Sequence, residues 1–318
     1  MFFESFKVTG FAVLEIFILG ALGFFLVKKK ILGETGLDSL SRLTIEITLP
    51  TLIFCQLIKD FSFNLYVNWW VFPLISIAIT VLGSVVGAVF SFFIHGPEHK
   101  LQFFSLVAFQ NSGYLPLALI AALLPKEQAD VMFMYLFLFL LGFNLVMFSF
   151  GSYMLTFKKS KKFELATLFS PPVAATLVTL LLVLIGFDKL VPEFVFKPLK
   201  LVGSCTLPLA MLVVGGNLAQ IHLGHIDKKA IFLLAVAKLL VLPVLGLVLL
   251  ANFRLPELIG LLIIIELAVP SATLLSVINR HHKKEDLLIG QGIFFSHIFS
   301  LISLPVFLSL YFTICMIK

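Results

Sequence analysis

Two short stretches of this chain place polar and helix-breaking residues inside otherwise apolar sequence. The first is Phe109-Gln110-Asn111-Ser112-Gly113-Tyr114-Leu115-Pro116-Leu117, in the middle of an apolar run from Leu101 to Leu124. That run is long enough to cross a bilayer at about 20 residues per span. Gly113 tolerates dihedrals that other residues avoid, and Pro116 lacks a backbone donor and clashes with the turn before it, so the spacing predicts an interrupted helix. Irregular backbone at membrane depth is tolerated only where protein or a water-filled cavity covers it. The chemistry of such a cavity is ligand capture. Asn111 is the candidate for direct contact, Gln110 and Ser112 stand beside it, and Gly113 lets a ligand approach the backbone.

The second stretch is Glu266-Leu267-Ala268-Val269-Pro270-Ser271. A carboxylate at mid-span costs about 2.5 to 3.5 kcal/mol on insertion scales, so Glu266 needs a reason to be there. Two reasons compete. It is a candidate for protonation during transport, four residues before Pro270, or it forms a structural pair with Lys238, the basic residue placed well inside an apolar run. A Glu266–Lys238 pair could itself be switched by a proton.

The elements that position these residues follow from composition. With 60% hydrophobic residues, 13% charged residues and a mean hydropathy of +1.11 over 318 residues, the chain is not a water-soluble globular protein. Soluble domains carry about 25% charged residues. The net charge of +6 resides in short basic clusters between apolar runs, which read as topology signals and not as a nucleic-acid surface. Cys55, Cys205 and Cys315 are odd in number and lack metal-ligand spacing, so neither a disulfide framework nor a metal site is expected. No cofactor is implied. The apolar run Val8–Val27 is followed, not preceded, by Lys28-Lys29-Lys30, the reverse of a secretory signal, and reads as a first membrane helix.

Hydropathy predicts an all-α polytopic membrane protein with ten spans, over 8–27, 40–58, 69–94, 101–124, 131–157, 170–187, 199–219, 230–251, 257–279 and 287–316. Alternate loops hold 14 Lys and Arg residues on one side and 8 on the other, which puts both termini on the non-cytoplasmic side of a plasma or bacterial inner membrane. Thr48-Leu49-Pro50 recurs as Thr206-Leu207-Pro208, 158 residues later, and Pro116 finds a counterpart 154 residues later in Pro270. Two landmarks at nearly one offset predict two five-helix repeats, 1–157 and 163–318, joined by a cytoplasmic basic linker at 158–162. Five is odd, so the second repeat enters the membrane inverted. The broken spans 4 and 9 then meet near the midplane as crossover helices. Half-helix N-termini around a shared cavity favour an anion.

FQNSGYLPLALI in the fourth span, TLPLAMLVVGGNLA in the seventh and ELAVPSATLLSV in the ninth resemble the auxin efflux carrier family, which includes plant PIN carriers and bacterial malate or malonate permeases. The resemblance covers essentially the whole chain. It implies a scaffold of spans 1, 2, 6 and 7, often dimerising, and a transport domain of spans 3–5 and 8–10 that moves like an elevator. By that likeness Asn111, Pro116 and Pro270 fall at the crossover where a substrate carboxylate binds, with Ser271 beside it.

The remaining polar residues have plainer readings. Glu15 and Glu46 suit helix packing or an interface; Asn144 and His297 suit interhelical hydrogen bonds; His281-His282 belongs to a solvated loop cluster; Trp69-Trp70 is an interfacial anchor; and the 36 phenylalanines, many in the fifth span, read as lipid-facing bulk. Three functions then compete: a secondary carrier of organic anions, with or without proton coupling; a sodium-coupled symporter of the bile-acid type, which would want more carboxylates and amides near the breaks; and a membrane enzyme or non-transporting scaffold. No nucleophile–base pair or phosphate loop supports an enzyme.

Overall fold

The computed structural model describes residues 2–151, 169–253, 255–276 and 287–315. The expected basic linker at 158–162 and the His281-His282 cluster lie outside the described residues. Uninterrupted apolar sequence becomes helix throughout, because in lipid the backbone must satisfy its own hydrogen bonds. The helices are α1 (Phe2–Lys28), α2 (Glu34–Asp60), α3 (Val71–Ser91), α4 (Pro97–Ala108), α5 (Tyr114–Leu123), α6 (Lys126–Gly151), α7 (Pro171–Leu184), α8 (Glu193–Ala219), α9 (Lys228–Asn252), α10 (Glu257–Ala268) and α11 (Leu287–Ile314). Among the described residues, seven of them (α1, α2, α3, α6, α8, α9 and α11) are long and apolar enough to cross a membrane, and α5 and α7 are shorter apolar helices. The chain is thus an all-α polytopic membrane protein.

Proline shapes three of these helices locally. In α2 a π-helical turn, Leu43–Thr48, directly precedes Leu49-Pro50, and in α9 another, Ala237–Val241, precedes Leu242-Pro243. A proline cannot donate to the carbonyl four residues back, and a π-turn absorbs the local mismatch. In α8 the helix bends at Cys205, just before Thr206-Leu207-Pro208. The π-turn of α9 contains Lys238, so this distortion turns the one ammonium of that helix's interior toward the protein.

Packing sorts the helices into neighbourhoods. α2 packs on α7 and on the first half of α8, while α1 packs on the second half of α8 and on α11. α3 packs on α4 and α6, and α10 packs on α9 and α11. The α1–α8 crossing is close enough that a Cβ on Gly215 would overlap the carbonyl of Gly20, and one on Gly23 the backbone of Leu212. Small residues allow such approach between membrane helices.

The phenylalanine reading needs correction. Phe103, Phe109, Phe137 and Phe139 are among the largest fully buried side chains, and α6, which carries the last two, is the most interior of the long helices, with 61% of its apolar window buried. α6 is enclosed by α2, α3, α5, α7 and α10, so its phenylalanines fill protein and not lipid. Composition cannot tell these environments apart, since the bilayer and the core are equally apolar.

Candidate functional site

The apolar run Leu101–Leu124 folds as two half-helices, α4 and α5, separated by an extended segment at residues 109–113. The interruption therefore lies before Pro116. That proline sits in the first turn of α5, where its missing N–H would have had no helical partner anyway. α10 likewise ends at Ala268, and Val269–Ala272 is extended before a helical turn begins at Thr273. Pro270 stands inside this second interruption.

The two interruptions lie against each other. Asn111 N donates to Pro270 O at 2.9 Å, Ala272 N donates to Phe109 O at 3.0 Å, and Gln110 pairs antiparallel with Ser271. The Ser271 hydroxyl donates to Leu106 O in the last turn of α4 at 2.7 Å, and its amide donates to Ser296 Oγ of α11 at 3.3 Å. Backbone groups freed by breaking the helices are thus re-satisfied by each other, as buried polar backbone requires.

Three half-helix ends and one helical turn result, and their polarity sorts them. The first turn of α5 and the helical turn at residues 273–276 carry amides without helical partners. Both open into a cavity of about 170 Å³, whose lining includes Gln110, Asn111, Ser112, Gly113, Tyr114, Thr273 and Leu274. Its other walls are Ser41 and Ile45 of α2, Phe143 and Asn144 of α6, Pro172 of α7 and Asn217 of α8. On the opposite side, α4 and α10 end with their carbonyls. Here Lys238 Nζ donates to Val107 O at 3.1 Å, and Glu266, in the last turn of α10, lies within electrostatic reach. Lys238 and Glu266 are 1% and 0% exposed. Amide ends attract negative charge and carbonyl ends positive charge, so the cavity side suits an anion, while the far side is met by the Lys238 side chain.

Several buried polar atoms around the crossing are unengaged. Among the described residues, neither carboxyl oxygen of Glu266 has a hydrogen-bond partner, nor do Gln110 Nε2, Ser112 Oγ and Tyr114 Oη. Gln110 and Ser112 lie beside the Glu266 carboxyl without closing a bond to it. Unpaired polar groups at this depth cost about 1 to 3 kcal/mol each. Their concentration at one place makes the crossing the candidate binding site.

The expected site residues divide accordingly. Gln110, Asn111, Ser112 and Gly113 line the cavity; Pro270 and Ser271 hold the crossing together through the contacts above; and Pro116 starts α5. The amides that follow Pro270 are taken, Ser271 N by Ser296 and Ala272 N by Phe109. Glu266 and Lys238 are neighbours, though the ammonium bonds to a carbonyl and not to the carboxylate. His297 hydrogen-bonds Asn111, with Asn111 Nδ2 and His297 Nε2 3.2 Å apart. Sequence reasoning missed Asn217; Asn144, expected in an interhelical hydrogen bond, lines the cavity, and Tyr114, for which the sequence leaves a ligand-facing and a lipid-facing reading both open, lines it too. Asn217 follows Gly215-Gly216 in a helix otherwise without amides, which was the available signal.

The family model described as "Membrane transport protein" matches residues 10–164 and 153–308. The "Uncharacterized transporter MJ1031" of Methanocaldococcus jannaschii is 24% identical over 312 residues, 91% of this chain and 94% of that protein. "Protein PIN-LIKES 6" of Arabidopsis thaliana is 28% identical over 120 residues, and "Protein PIN-LIKES 2" of the same plant 27% over 113. These two matches span 37% and 35% of this chain, and only 28% and 25% of the plant proteins.

Proposed function

The chain belongs to the membrane transport protein family, and on that footing we propose that it is a secondary or facilitative carrier of small organic anions, with the substrate held where the interrupted helices cross. The observation that carries this reading is the meeting of the N-terminus of α5 and the helical turn at residues 273–276 on one cavity that also presents Asn111, Gln110 and Ser112. Unpaired amides and the positive ends of helix dipoles are an anion-binding arrangement. Discontinuous helices meeting near the midplane are how many carriers build their sites.

In this reading the chain has ten spans in two inverted five-helix repeats, with α4–α5 and the helix interrupted at Val269–Ala272 as the crossover spans 4 and 9. α1, α2, α7 and α8 form a scaffold, through which the protein dimerises. α3 to α6 and α9 to α11 form the moving transport domain. The packing of α2 on α7 and α8, and of α3 on α4 and α6, falls within the two groups, and the packing of α1 on α11 is then the contact along which they would slide. The cavity supports the division, since its walls come from both groups and it would therefore open and close as they slide. The protein would reside in a plasma or bacterial inner membrane with both termini non-cytoplasmic.

A specific observation bears on coupling. Carbonyl ends of α4 and α10 would attract a metal cation, but Lys238 places its ammonium there. A tethered cation favours a carrier that is uncoupled or proton-coupled over the sodium symporter of the bile-acid type, and Glu266 beside it is the coupling candidate. The test is equilibrium binding of malate, malonate and an indole carboxylate to the full-length protein in sodium-free buffer. Asn111→Ala is expected to weaken the binding anion by tenfold or more, since one hydrogen bond to a charged group is worth about 1.5 to 3 kcal/mol. Unchanged affinity would remove Asn111 from the site.

A further inference from the structure

His297 lies on α11, is 1% exposed, and joins the crossing from outside it. Its Nδ1 is 2.8 Å from the carbonyl oxygen of Ile293, one turn earlier in the same helix. A carbonyl oxygen only accepts, so the proton of a neutral ring must sit on Nδ1. Nε2 is then a bare acceptor. The group facing it at 3.2 Å is the Asn111 amide nitrogen, which donates. With one Nδ2 hydrogen committed to the ring, the Asn111 carboxamide keeps its second N–H and its oxygen, which has no hydrogen-bond partner among the described residues, for the cavity that Asn111 lines. An oxygen there repels a carboxylate, so in this state Asn111 offers an anion one N–H beside a repelling oxygen and binds it weakly.

A proton on Nε2 reverses the arrangement. The imidazolium donates from both nitrogens, so the Asn111 amide must turn by half a rotation to offer Oδ1 to the ring. Its NH₂ then faces the cavity. We propose that His297 is a positioning residue that sets the polarity of the Asn111 amide, so that an anion binds together with one proton taken up at His297. The inference rests on the anion-carrier reading above. The chemistry also favours it on charge grounds, because an anion and a proton entering together bury a neutral pair, whereas either alone buries an uncompensated charge.

The surroundings leave His297 as the group that senses this proton at Asn111. On the elements packed around it, α1 contributes Glu15, which is exposed; α4 contributes Glu98, His99 and Lys100, all exposed in its first turn; α5 contributes Tyr114; α9 contributes Lys238, bonded to Val107; and α10 contributes Glu266, which faces Gln110, Ser112 and Lys238. Of all these residues and their backbones, the imidazole engages Asn111 and Ile293. α8, which also walls this region, carries no titratable side chain in Thr206–Ala219.

Two measurements on the full-length protein test this. The first needs no ligand: ¹⁵N NMR of histidine-labelled protein in nanodiscs, with the His297 signals assigned by their loss in His297→Gln. The expected neutral form is the Nδ1–H tautomer, with the Nε2 resonance displaced by Asn111→Ala. An Nε2–H tautomer, or an Nε2 signal indifferent to Asn111→Ala, would overturn the proposal. The second is malonate binding with proton uptake. Wild type is expected to bind about tenfold more tightly per unit of pH lowered, taking up one proton. His297→Gln, whose amide can keep donating to Asn111 Oδ1, should bind with less than about a twofold pH response and no proton uptake. Proton uptake that persists in His297→Gln and vanishes in Glu266→Gln would overturn the proposal in favour of Glu266. Failure of wild type to bind malonate or the other anions at any pH would count against the anion reading itself, and the tautomer would still decide what His297 does to Asn111.

Discussion

Lys238→Met is the most informative single perturbation of the fold. The ammonium it removes is 1% exposed, donates to Val107 O at 3.1 Å, and lies beside the fully buried Glu266. Three losses follow. The charge-assisted hydrogen bond is worth about 1.5 to 3 kcal/mol, and Val107 O, freed by the end of α4, has no replacement donor. The carboxyl of Glu266 also loses its compensating charge. The lost hydrogen bond and the stranded carbonyl, with the Glu266 carboxyl nearby but not bonded to the ammonium, set the destabilisation expected for Lys238→Met at about 2 to 4 kcal/mol. Glu266→Gln should cost less, because the ammonium keeps Val107 O and the two carbonyl helix ends. The double variant Lys238→Met/Glu266→Gln removes both charges and should recover much of the loss, giving a coupling energy of about 2 kcal/mol or more. Unfolding free energies by steric trapping in bicelles would measure the cycle. Additivity within about 0.5 kcal/mol would refute the reasoning, since it would mean the carboxyl and the ammonium do not sense each other.

Three further outcomes are expected. Gly215→Ala should destabilise the protein by about 1 to 3 kcal/mol, because its Cβ meets the Gly20 carbonyl, whereas Gly10→Ala, with nothing within 4 Å, should not; thermal unfolding of the purified variants checks both. Ser271→Ala strips the donor from the buried Leu106 carbonyl and should cost about 1 to 3 kcal/mol, with Ser271→Thr, which keeps the hydroxyl, measured alongside for rescue. Glu266→Gln should flatten any pH dependence of transport that His297→Gln leaves in place; a profile unchanged in both single variants and in the double would assign neither residue to coupling.

Much of this architecture can be read from residue types. Apolar runs yield helices because lipid forces the backbone to satisfy itself. Gln110-Asn111-Ser112-Gly113 inside such a run signals an interruption, and it occurs there. Its placement ahead of Pro116 was less legible, since proline disrupts a helix interior but begins one comfortably. Glu266 and Lys238 attract attention as charges at depth, yet the acceptor that the ammonium uses is the backbone of Val107, exposed only because α4 stops there. No residue type marks such a carbonyl. The Asn111–His297 contact joins residues 186 apart in sequence, and nothing local to either names the other. The buried phenylalanines of α6 were misread because a lipid-facing and a core-facing helix share one composition.

The central claim is that the cavity at the crossing binds an organic anion and carries it across the membrane. Uptake of radiolabelled malate, malonate and an indole carboxylate into sodium-free proteoliposomes, preloaded with the same unlabelled anion, detects electrogenic and electroneutral transport alike. Saturable uptake of at least one of them by wild type, with its half-saturating concentration raised about tenfold or more in Asn111→Ala while the protein stays folded, is the predicted result. Uptake by wild type no greater than by protein-free liposomes across the panel, or equal uptake by wild type and Asn111→Ala, would contradict it.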